Sequence, residues 1–531
     1  IGASGRQVKR SVLLEAVVVG TVASGLGLAG GIGFATGLKA MMSAFGFDMP
    51  EGPTIVQASA LVTSFLMGLV VTVVSAWLPA RRAARISPMA ALRDASVDRS
   101  AASGRRTALG AALTIGGATA VWASIDGDVA LLGVGALTTF VGISVLGPVL
   151  ARPVAALFSL PLRMRGISGE LATRNASRSP KRTARTAASL MIGVALVGFM
   201  AVFAASFKSS IAGSLDDDFT GTHIVQSGSF DNSAGLSPEF AERLRSTPDV
   251  DVVSPARVTP AIVDGVENEL FPAFDGHTVD DVFDLGTVQG DLGSLGSDGI
   301  AVSAEEAAEH GWVLGSMIDA TFPSGTATFI VKAVYDGSTD WMGPMFIDLQ
   351  GLAANGGESL DHRLYVAGDE AAIMRVAADY STAEVLDKQG FLDSVSSEID
   401  TMLGMFYVML MLAIVIALLG IANTLALSIF ERTRELGLMR AVGMARGQVR
   451  SMVRWESVVI AVFGTTVGLG LGTFFGWATV RAMADQGLDT LTVPGSSLAL
   501  VTIIASLAGA TAAVLPARRA AKLDVLTALA N

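Results

Sequence analysis

Residues that could carry out chemistry are sparse along these 531 residues. Cysteine is absent, which excludes disulfides, thiolate ligands and a cysteine nucleophile. The histidines lie far apart, and none has the spacing of a zinc-binding helix; they are His223, His277, His310 and His362. No Gly-Lys dipeptide occurs, although a phosphate-binding P-loop requires one. We therefore expect no catalytic residue, metal site or cofactor within this chain.

Three consecutive aspartates at residues 216–218 are the densest group of acidic ligands. A calcium loop spaces its oxygen ligands and contains a glycine at its turn, and this run has neither feature. The simpler interpretation is a solvated acidic linker.

The elements that must position any functional group are mainly membrane helices. The chain is 51% hydrophobic and 16% charged, with a mean hydropathy of +0.55. Its apolar residues form runs of about 20, the length that crosses the hydrocarbon core of a bilayer as a helix. Five such runs precede the middle of the chain and three follow it, which predicts an α-helical polytopic protein with about eight spans.

Charge is divided sharply along the chain. Residues 214–397 hold 32 acidic and 7 basic side chains, a net charge of −25, so the remainder carries +14. Alternate crossings put the basic clusters on one side of the membrane, which the positive-inside rule makes cytoplasmic. The acidic stretch mixes alternating and helical patterns, including a helix start at Ser237, and is predicted to be an extracytoplasmic α+β domain.

The chain also repeats itself at an offset of 441 residues. Gly2, Gln7, Val8 and Glu15 match Gly443, Gln448, Val449 and Glu456, and the segment Leu-Pro-Ala-Arg-Arg-Ala-Ala occurs near both residue 78 and residue 515. Duplication is a common way to build a transporter. Because residue 1 falls inside the repeated motif, we expect the natural N-terminus to precede it.

Glycine-rich segments at residues 25–33 and 468–476 resemble nucleotide-binding loops in composition only. Both lie inside apolar runs, where small residues let helices approach closely. Helix packing is therefore their predicted role.

A basic segment at residues 431–450 precedes the seventh apolar run. It has the composition of a short helix with an apolar stripe of Leu436, Met439 and Val442. The segment could be a solvated loop that only sets topology. Its recurrence at residue 1 favours a docking surface.

This segment, with the preceding Ile-Ala-Asn-Thr-Leu-Ala-Leu and the closing Pro-Ala-Arg-Arg, resembles the FtsX-like, MacB-type permeases of ABC transporters. Residues 299–322 also resemble part of the extracytoplasmic MacB-like domain of that family. The resemblance implies two FtsX-like repeats of the duplicated, ten-helix type, N-terminally truncated here, with an inserted MacB-like domain. It also implies a bacterial plasma (inner) membrane location, multi-pass, with the acidic domain outside.

The resemblance further implies a separate ABC ATP-binding subunit, present as a homodimer, that holds ATP and Mg²⁺. The residues it assigns to docking of that subunit, the coupling helix, are Glu431, Arg432, Glu435, Leu436, Gly437, Arg440, Ala441 and Gly443, with Gly2 and Gln7 from the first copy. Further partners are the lipid membrane and an extracytoplasmic accessory protein or lipoprotein. Nucleic acid is not among the implied partners.

A second basic group precedes the fifth apolar run. An amphipathic helix there would place basic side chains at anionic headgroups, namely Arg174, Arg178, Lys181, Arg182 and Arg185. Topology determination explains the same charges equally well.

These predictions divide the chain into five segments. Residues 1–95 form the C-terminal part of the first repeat, with two spans, and residues 96–165 form a linker with two more. Residues 166–213 hold the interfacial segment and the first span of the second repeat. Residues 214–397 form the extracytoplasmic domain, and residues 398–531 form the second permease domain with three spans.

Two functions suit this organisation. In the first, a permease couples ATP hydrolysis in its partner to movement of the spans and the external domain, exporting or extracting lipophilic or lipoprotein cargo. In the second, the same movement is a signal relay that activates a cell-wall hydrolase or senses an antimicrobial peptide without transport. The apolar runs contain few ionisable residues, which argues against a hydrophilic path for small solutes.

Overall fold

The computed structural model describes residues 4–44, 56–84, 104–125, 127–157, 167–178, 180–227, 235–337, 342–357, 360–484 and 487–522. The chain forms two compact units, Ile1–Ser103 and Gly104–Asn531. Within the described ranges, seven helices have the length and apolar composition needed to cross a membrane: Gly5–Ala40, Ala58–Arg81, Val129–Ala151, Pro180–Asp218, Lys388–Glu431, Arg446–Ala482 and Gly495–Ala521. The remaining predicted span is helical but less apolar, since it begins with two arginines and is rich in glycine and threonine.

The first unit is a pair of antiparallel helices, α1 (Gly5–Ala44) and α2 (Ala58–Ala83). They pack through small residues. A methyl group added to Gly68 on α2 would lie 2.6 Å from the Ser24 hydroxyl on α1, and one added to Gly20 on α1 would lie 3.0 Å from the Leu69 side chain and 3.2 Å from the Thr72 side chain. Close approach of this kind is typical of membrane helices.

The second unit begins with α3 (Gly104–Ala123), α4 (Val129–Leu157), α5 (Ile167–Arg178) and α6 (Pro180–Asp218). Helices α3 and α4 form a tight antiparallel pair in which Gly117 faces Thr139 and Gly135 faces Val121. Helix α6 continues well past the predicted span, because its last turn enters the domain that follows.

That domain is built on one ten-stranded sheet with short helices. The elements are β1 (His223–Ser227), α7 (Pro238–Arg245), β2 (Val250–Val263), β3 (Val266–Phe274), α8 (Val279–Val282), β4 (Val288–Gly290), β5 (Gly299–Ser303), α9 (Ala304–His310), β6 (Met317–Phe322), β7 (Gly325–Tyr335), β8 (Met345–Asp348), α10 (Leu349–Ala354), β9 (Arg363–Gly368), α11 (Glu370–Ala377) and β10 (Ala383–Asp387). The strand order is β10-β1-β9-β2-β3-β8-β5-β7-β4, with β6 pairing β2 and β7. The predicted α+β fold is confirmed.

Local chemistry explains several of these boundaries. The Ser237 hydroxyl accepts a hydrogen bond from the Glu239 N–H at the start of α7, as predicted. Strands β2 and β3 form a hairpin whose turn residues, Asp264 and Gly265, both have positive φ angles, of 47° and 83°. Asp-Gly is a favoured pair for such a turn.

The domain core ties the sheet to the membrane helices. Aromatic side chains dominate it, including Phe219, Phe274 and Tyr365. Leu215 from the last turn of α6 and Phe391 from the long helix that follows β10 are buried in the same core. Both connecting helices are therefore anchored in the domain.

The chain returns through α12 (Lys388–Glu431), α13 (Thr433–Ala441), α14 (Arg446–Ala482), α15 (Gly495–Ala512) and α16 (Val514–Ala521). Helices α6 and α14 run parallel and meet along Gly464, Gly468, Gly472 and Gly476, which face residues 187–202 of α6. The packing role predicted for the second glycine-rich segment is confirmed. The predicted segment borders at 213/214 and 397/398 fall inside α6 and α12, so no structural break marks them.

Candidate functional site

Helix α13 is a short helix set between two long ones. The backbone leaves α12 at Arg432, which has φ −105° and ψ 17°, and turns again after α13 at Gly443, which has φ +112°. A positive φ angle of this kind favours glycine. Helix α14 then begins after Ala445, whose N–H donates to the Gln448 Oε1 at 2.8 Å. The sharp turns at both ends present α13 as a separate element.

One side of α13 is buried. Leu436 and Gly437 face a cluster formed by three other helices. Its buried members are Ala172 of α5, Val449, Met452 and Val453 of α14, and Ala517 and Ala520 of α16. Ala517 of the closing Pro-Ala-Arg-Arg motif therefore belongs to the cluster against which α13 packs. Leu436 and Gly437 anchor the helix on its buried side and are not part of its outer surface.

The opposite side of α13 is open. Glu431, Glu435, Ala441 and Gly443 are exposed, and Arg432 and Arg440 are half-buried. The predicted apolar stripe is wrong at one residue: Leu436 and Met439 pack inward, but Val442 is 84% exposed. Val442 lies beyond the last helical residue, Ala441, so helical periodicity no longer sets its direction.

The second basic group divides among several environments. Arg174 pairs with Glu170 at 2.6 Å on the exposed face of α5, Lys181 is half-buried, and Arg185 is exposed. Arg182 instead pairs with Glu456 of α14 at 3.0 Å, and Glu456 is only 5% exposed. The Arg178 side chain and Gly2 lie outside the described residues.

Glu456 is a residue that reasoning from motifs did not assign to the site. The available signal was its match to Glu15 in the repeat, but its partner lies 274 residues away in the sequence. Arg432 and Glu431, next to α13, act electrostatically on the pair. The ion pair therefore joins the start of α6 to α14, close to Glu431 and Arg432 before α13.

The repeat extends to local hydrogen bonding. In the first unit the Ser4 N–H donates to the Gln7 Oε1 at 2.8 Å, and in the second the Ala445 N–H donates to the Gln448 Oε1 at the same distance. Gln7 and Gln448 therefore begin their helices in the same way. Equivalent positions in the two copies share a local structure as well as a sequence.

At the other end of the helices, the connection between α14 and α15 is fastened to α6. The Ser206 hydroxyl accepts from the Thr492 N–H and the Ser210 hydroxyl accepts from the Thr490 N–H, both at 3.0 Å. Lys208 pairs with Asp400 of α12 at 2.7 Å nearby. Helices α6 and α12 and the 487–494 connection are thus linked close to the domain.

Perturbed titratable groups occur in the domain, around β9. Asp361 is fully buried and accepts from the Arg257 Nε at 2.7 Å. Burial raises the pKa of Asp361, and Arg257 opposes that shift. Burial, reinforced by Arg363, lowers the pKa of His362 to about 4, so this imidazole is neutral at physiological pH. Across the part of the chain that the structure describes, no three metal-binding side chains cluster.

Comparison with known proteins gives consistent matches. The FtsX-like permease C-terminal family matches residues 1–88 and 407–525. An ABC transporter permease of Mycobacterium tuberculosis is 24% identical over 574 residues, covering 100% of this chain and 65% of that protein. The macrolide export ATP-binding/permease protein MacB of Bordetella avium is 30% identical over 120 residues, 23% of this chain and 18% of that protein.

Among solved structures, the periplasmic region of MacB from Actinobacillus actinomycetemcomitans is 12% identical. That match covers 35% of this chain and 97% of that structure, with a TM-score of 0.27. The chain spans less than two thirds of the length of either relative above. The family match falls on the two copies of the repeat and includes α13. The predicted resemblance is confirmed: both copies of the repeat in this multi-pass membrane protein are similar to the FtsX-like permease C-terminal family, and the relatives that match are ABC transporter permeases.

Proposed function

We propose that the open side of α13 docks a separate ATP-binding subunit, whose ATP hydrolysis moves α6, α12 and the external domain. The observation that carries this proposal is the two-sided character of α13. Its inner side is held by Leu436 and Gly437, and its outer side presents Glu435 and Ala441, with Glu431 exposed beside it at the end of α12. A short helix held on one side and charged on the other suits a contact that must transmit force.

The helices on either side of α13 provide the connection. Helix α12 has 44 residues and ends beside α13, and α6 has 39 residues and begins at the Arg182–Glu456 ion pair. At 1.5 Å per residue they are about 66 Å and about 58 Å long. Both enter the same aromatic core in the domain. Displacement at α13 would therefore reach the domain through unbroken helices.

The partner would be a homodimer of ATP-binding subunits that supplies ATP and Mg²⁺, because this sequence has no Gly-Lys pair from which to build a P-loop. The membrane would be the bacterial plasma membrane, with the domain of net charge −25 outside. Lipophilic or lipoprotein cargo suits spans with few ionisable residues. An extracytoplasmic accessory protein or lipoprotein would contact the domain.

The test is co-purification of the permease with its ATP-binding subunit, together with the rate of ATP hydrolysis. Glu435→Arg reverses an exposed charge on α13, and Ala441→Trp adds bulk at an exposed position. We expect both variants to lose the complex and the stimulated hydrolysis. Gly443→Trp should do the same, with added backbone strain at its positive φ angle.

Glu309→Arg is the matched control, because it makes the same charge reversal at an exposed site on the external domain. It should leave complex and hydrolysis unchanged. If Glu435→Arg and Ala441→Trp retain both properties while the permease stays folded, α13 is not the docking site.

A further inference from the structure

The two helices of the first unit leave an apolar groove between them, with a volume of 790 Å³. Small residues of both helices line it, namely Gly27, Gly31 and Ala35 of α1 and Ala60, Ser64 and Gly68 of α2. A methyl group added to Gly27 or Gly31 would lie more than 4 Å from every other part of the structure that is described. The groove therefore has room for a further element.

The second copy of the repeat contains the same pair of helices. The Leu-Pro-Ala-Arg-Arg segments align α2 with α15 and α16 at an offset of 437 residues. A methyl group added to Gly20 of α1 would lie 3.2 Å from the Thr72 side chain of α2. The repeat maps this pair onto Ala461 and Gly509, where a methyl group added to Gly509 would meet the Ala461 side chain. Helix α1 thus packs on α2 at the same level as α14 packs on α15.

In the second copy, α6 occupies the equivalent groove. The counterpart of Gly31 is Gly472, where an added methyl group would meet the α6 backbone at Ala195. The counterpart of Gly68 is Ala505, which is buried in one cluster with residues of α6. The surface that holds a helix in the second copy is therefore repeated in the first.

Glu15 on α1 indicates the same contact independently. It lies in the apolar span of α1 and is exposed. Its counterpart Glu456 is buried and pairs with Arg182, which belongs to the first turn of α6. Across the described ranges no basic side chain pairs with Glu15. An unpaired carboxylate within a membrane span costs free energy, which a basic partner would offset.

We propose that the groove between α1 and α2 holds a transmembrane helix of the same chemistry as α6. This helix has small apolar residues on one face and an arginine or lysine in its first turn, which pairs with Glu15. Helix α6 is not itself the occupant, because its own small-residue face is already packed against α14 and α15. The same face is covered in the same way in any second copy of the chain, so the occupant is a different helix.

The test uses a synthetic peptide of residues 180–210, from α6, with the full chain in lipid nanodiscs. In the second copy a methyl group added to Gly198 of α6 would lie 3.7 Å from the Gly472 Cα. Gly198→Cys in the peptide should therefore form a disulfide with Gly31→Cys in the chain, which has no cysteine of its own. A non-reducing gel measures the yield. No ATP-binding subunit is present, so the result is independent of the docking proposed for α13.

Gly33→Cys in the chain is the matched control. Gly33 has the same open space as Gly31, but it lies about 200° around α1 and does not line the groove. It should cross-link poorly.

Charge reversal tests the ion pair. With Gly31→Cys in the chain, Arg182→Glu in the peptide should lower the yield at least about tenfold, because it places two carboxylates together. Glu15→Arg in the chain should then restore the yield with that peptide.

Equal yields at Gly31→Cys and Gly33→Cys would overturn the proposal, as would a yield that Glu15→Arg does not restore. No cross-link at either position is the result expected if lipid chains fill the groove, and it would also contradict a helix there. Disulfides between two Gly31→Cys chains in the absence of peptide would show that a second copy covers the groove instead.

Discussion

Arg182 and Glu456 meet where the first turn of α6 crosses α14. Glu456 is almost fully buried, and a carboxylate in that position is strongly destabilising unless it is paired. The pair thus fixes one position of α6 relative to α14, close to Arg432 at the start of α13. The ion pair therefore contributes to the packing of the membrane helices beside the proposed docking helix.

Removing one partner should cost far more stability than removing both. We expect Arg182→Met to lower the free energy of unfolding by about 3–5 kcal/mol, because it leaves the Glu456 carboxylate buried and unpaired. Adding Glu456→Met should restore most of that loss. Thermal unfolding of the purified protein in detergent measures both effects.

Arg174→Met is the control for a surface pair, since Arg174 and Glu170 are both exposed and such pairs contribute about 0.3–0.5 kcal/mol. If the losses from Arg182→Met and Glu456→Met simply add in the double variant, the two side chains do not stabilise each other.

Helices α6 and α14 pack closely because the residues of α14 at their interface are glycines, which have no side chain. The four glycines of α14 that face α6 recur every fourth residue, so they form one stripe along the helix. The 441-residue offset maps this stripe onto Ala23, Gly27, Gly31 and Ala35 of α1, where these residues line one side of a groove between α1 and α2. The repeat therefore preserves small residues at equivalent positions.

Adding one methyl group at a packed glycine and at an unpacked glycine of α14 should show whether close packing, rather than glycine content alone, determines stability. In Gly472→Ala the new methyl carbon would lie 2.4 Å from the Ala195 carbonyl oxygen and 2.8 Å from the Phe199 nitrogen, both backbone atoms that cannot turn aside. We expect a loss of about 1–3 kcal/mol or more in unfolding free energy. Gly470→Ala, two residues away with open space around it, should be neutral or slightly stabilising. Equal melting temperatures for the two variants would contradict the packing assigned to this stripe.

The 487–494 connection is matched in spacing to α6. Ser206 and Ser210 are one turn apart, about 6 Å along the helix, and Thr492 and Thr490 are two extended residues apart, about 6.6 Å. The two hydrogen bonds therefore fix one register between the connection and α6.

Two cysteines at Ser210 and Thr490 should form a disulfide readily, and the chain has no other cysteine to compete. Non-reducing gels after proteolysis between the two sites measure the cross-link. The control pair at Ser209 and Thr490 should cross-link poorly, because Ser209 points about 100° away around the helix. Equal yields would show that the connection is not held in this register.

On the scale of the whole molecule, the acidic domain and the basic remainder have opposite charge, and two continuous helices join them. The segment of net charge −25 is anchored to α6 and α12 through Leu215 and Phe391, whereas α13 and α16 lie at the opposite ends of the membrane helices. The proposed function therefore requires that the acidic domain and α13 lie on opposite sides of the membrane.

Single cysteines test that orientation directly. Asp264→Cys is placed at the tip of the β2–β3 hairpin, and Arg446→Cys at the exposed start of α14. In intact cells we expect a membrane-impermeant maleimide to label Asp264→Cys, and to label Arg446→Cys only after lysis. The opposite labelling pattern would place the acidic domain in the cytoplasm.

The sequence alone was sufficient for features that depend on local pattern. Apolar runs of about 20 residues predicted the membrane helices, alternating and helical patterns predicted the mixed domain, and Ser237 marked a helix start that the structure confirms. The repeat and the basic motif predicted the resemblance to FtsX-like permeases that the comparison with known proteins confirms. These signals are local because hydropathy, helix capping and turn geometry act over a few residues.

Tertiary structure decided which charged residues are buried together. Arg182 was predicted to face headgroups or to set topology, yet it pairs with Glu456 across 274 residues of sequence. Arg257 meets Asp361 across 104 residues, a contact that no motif marks. Val442 continued an apolar pattern but is exposed because α13 ends one residue earlier. Burial and pairing depend on which elements the fold brings into contact, and this information is absent from the composition and periodicity of any single segment.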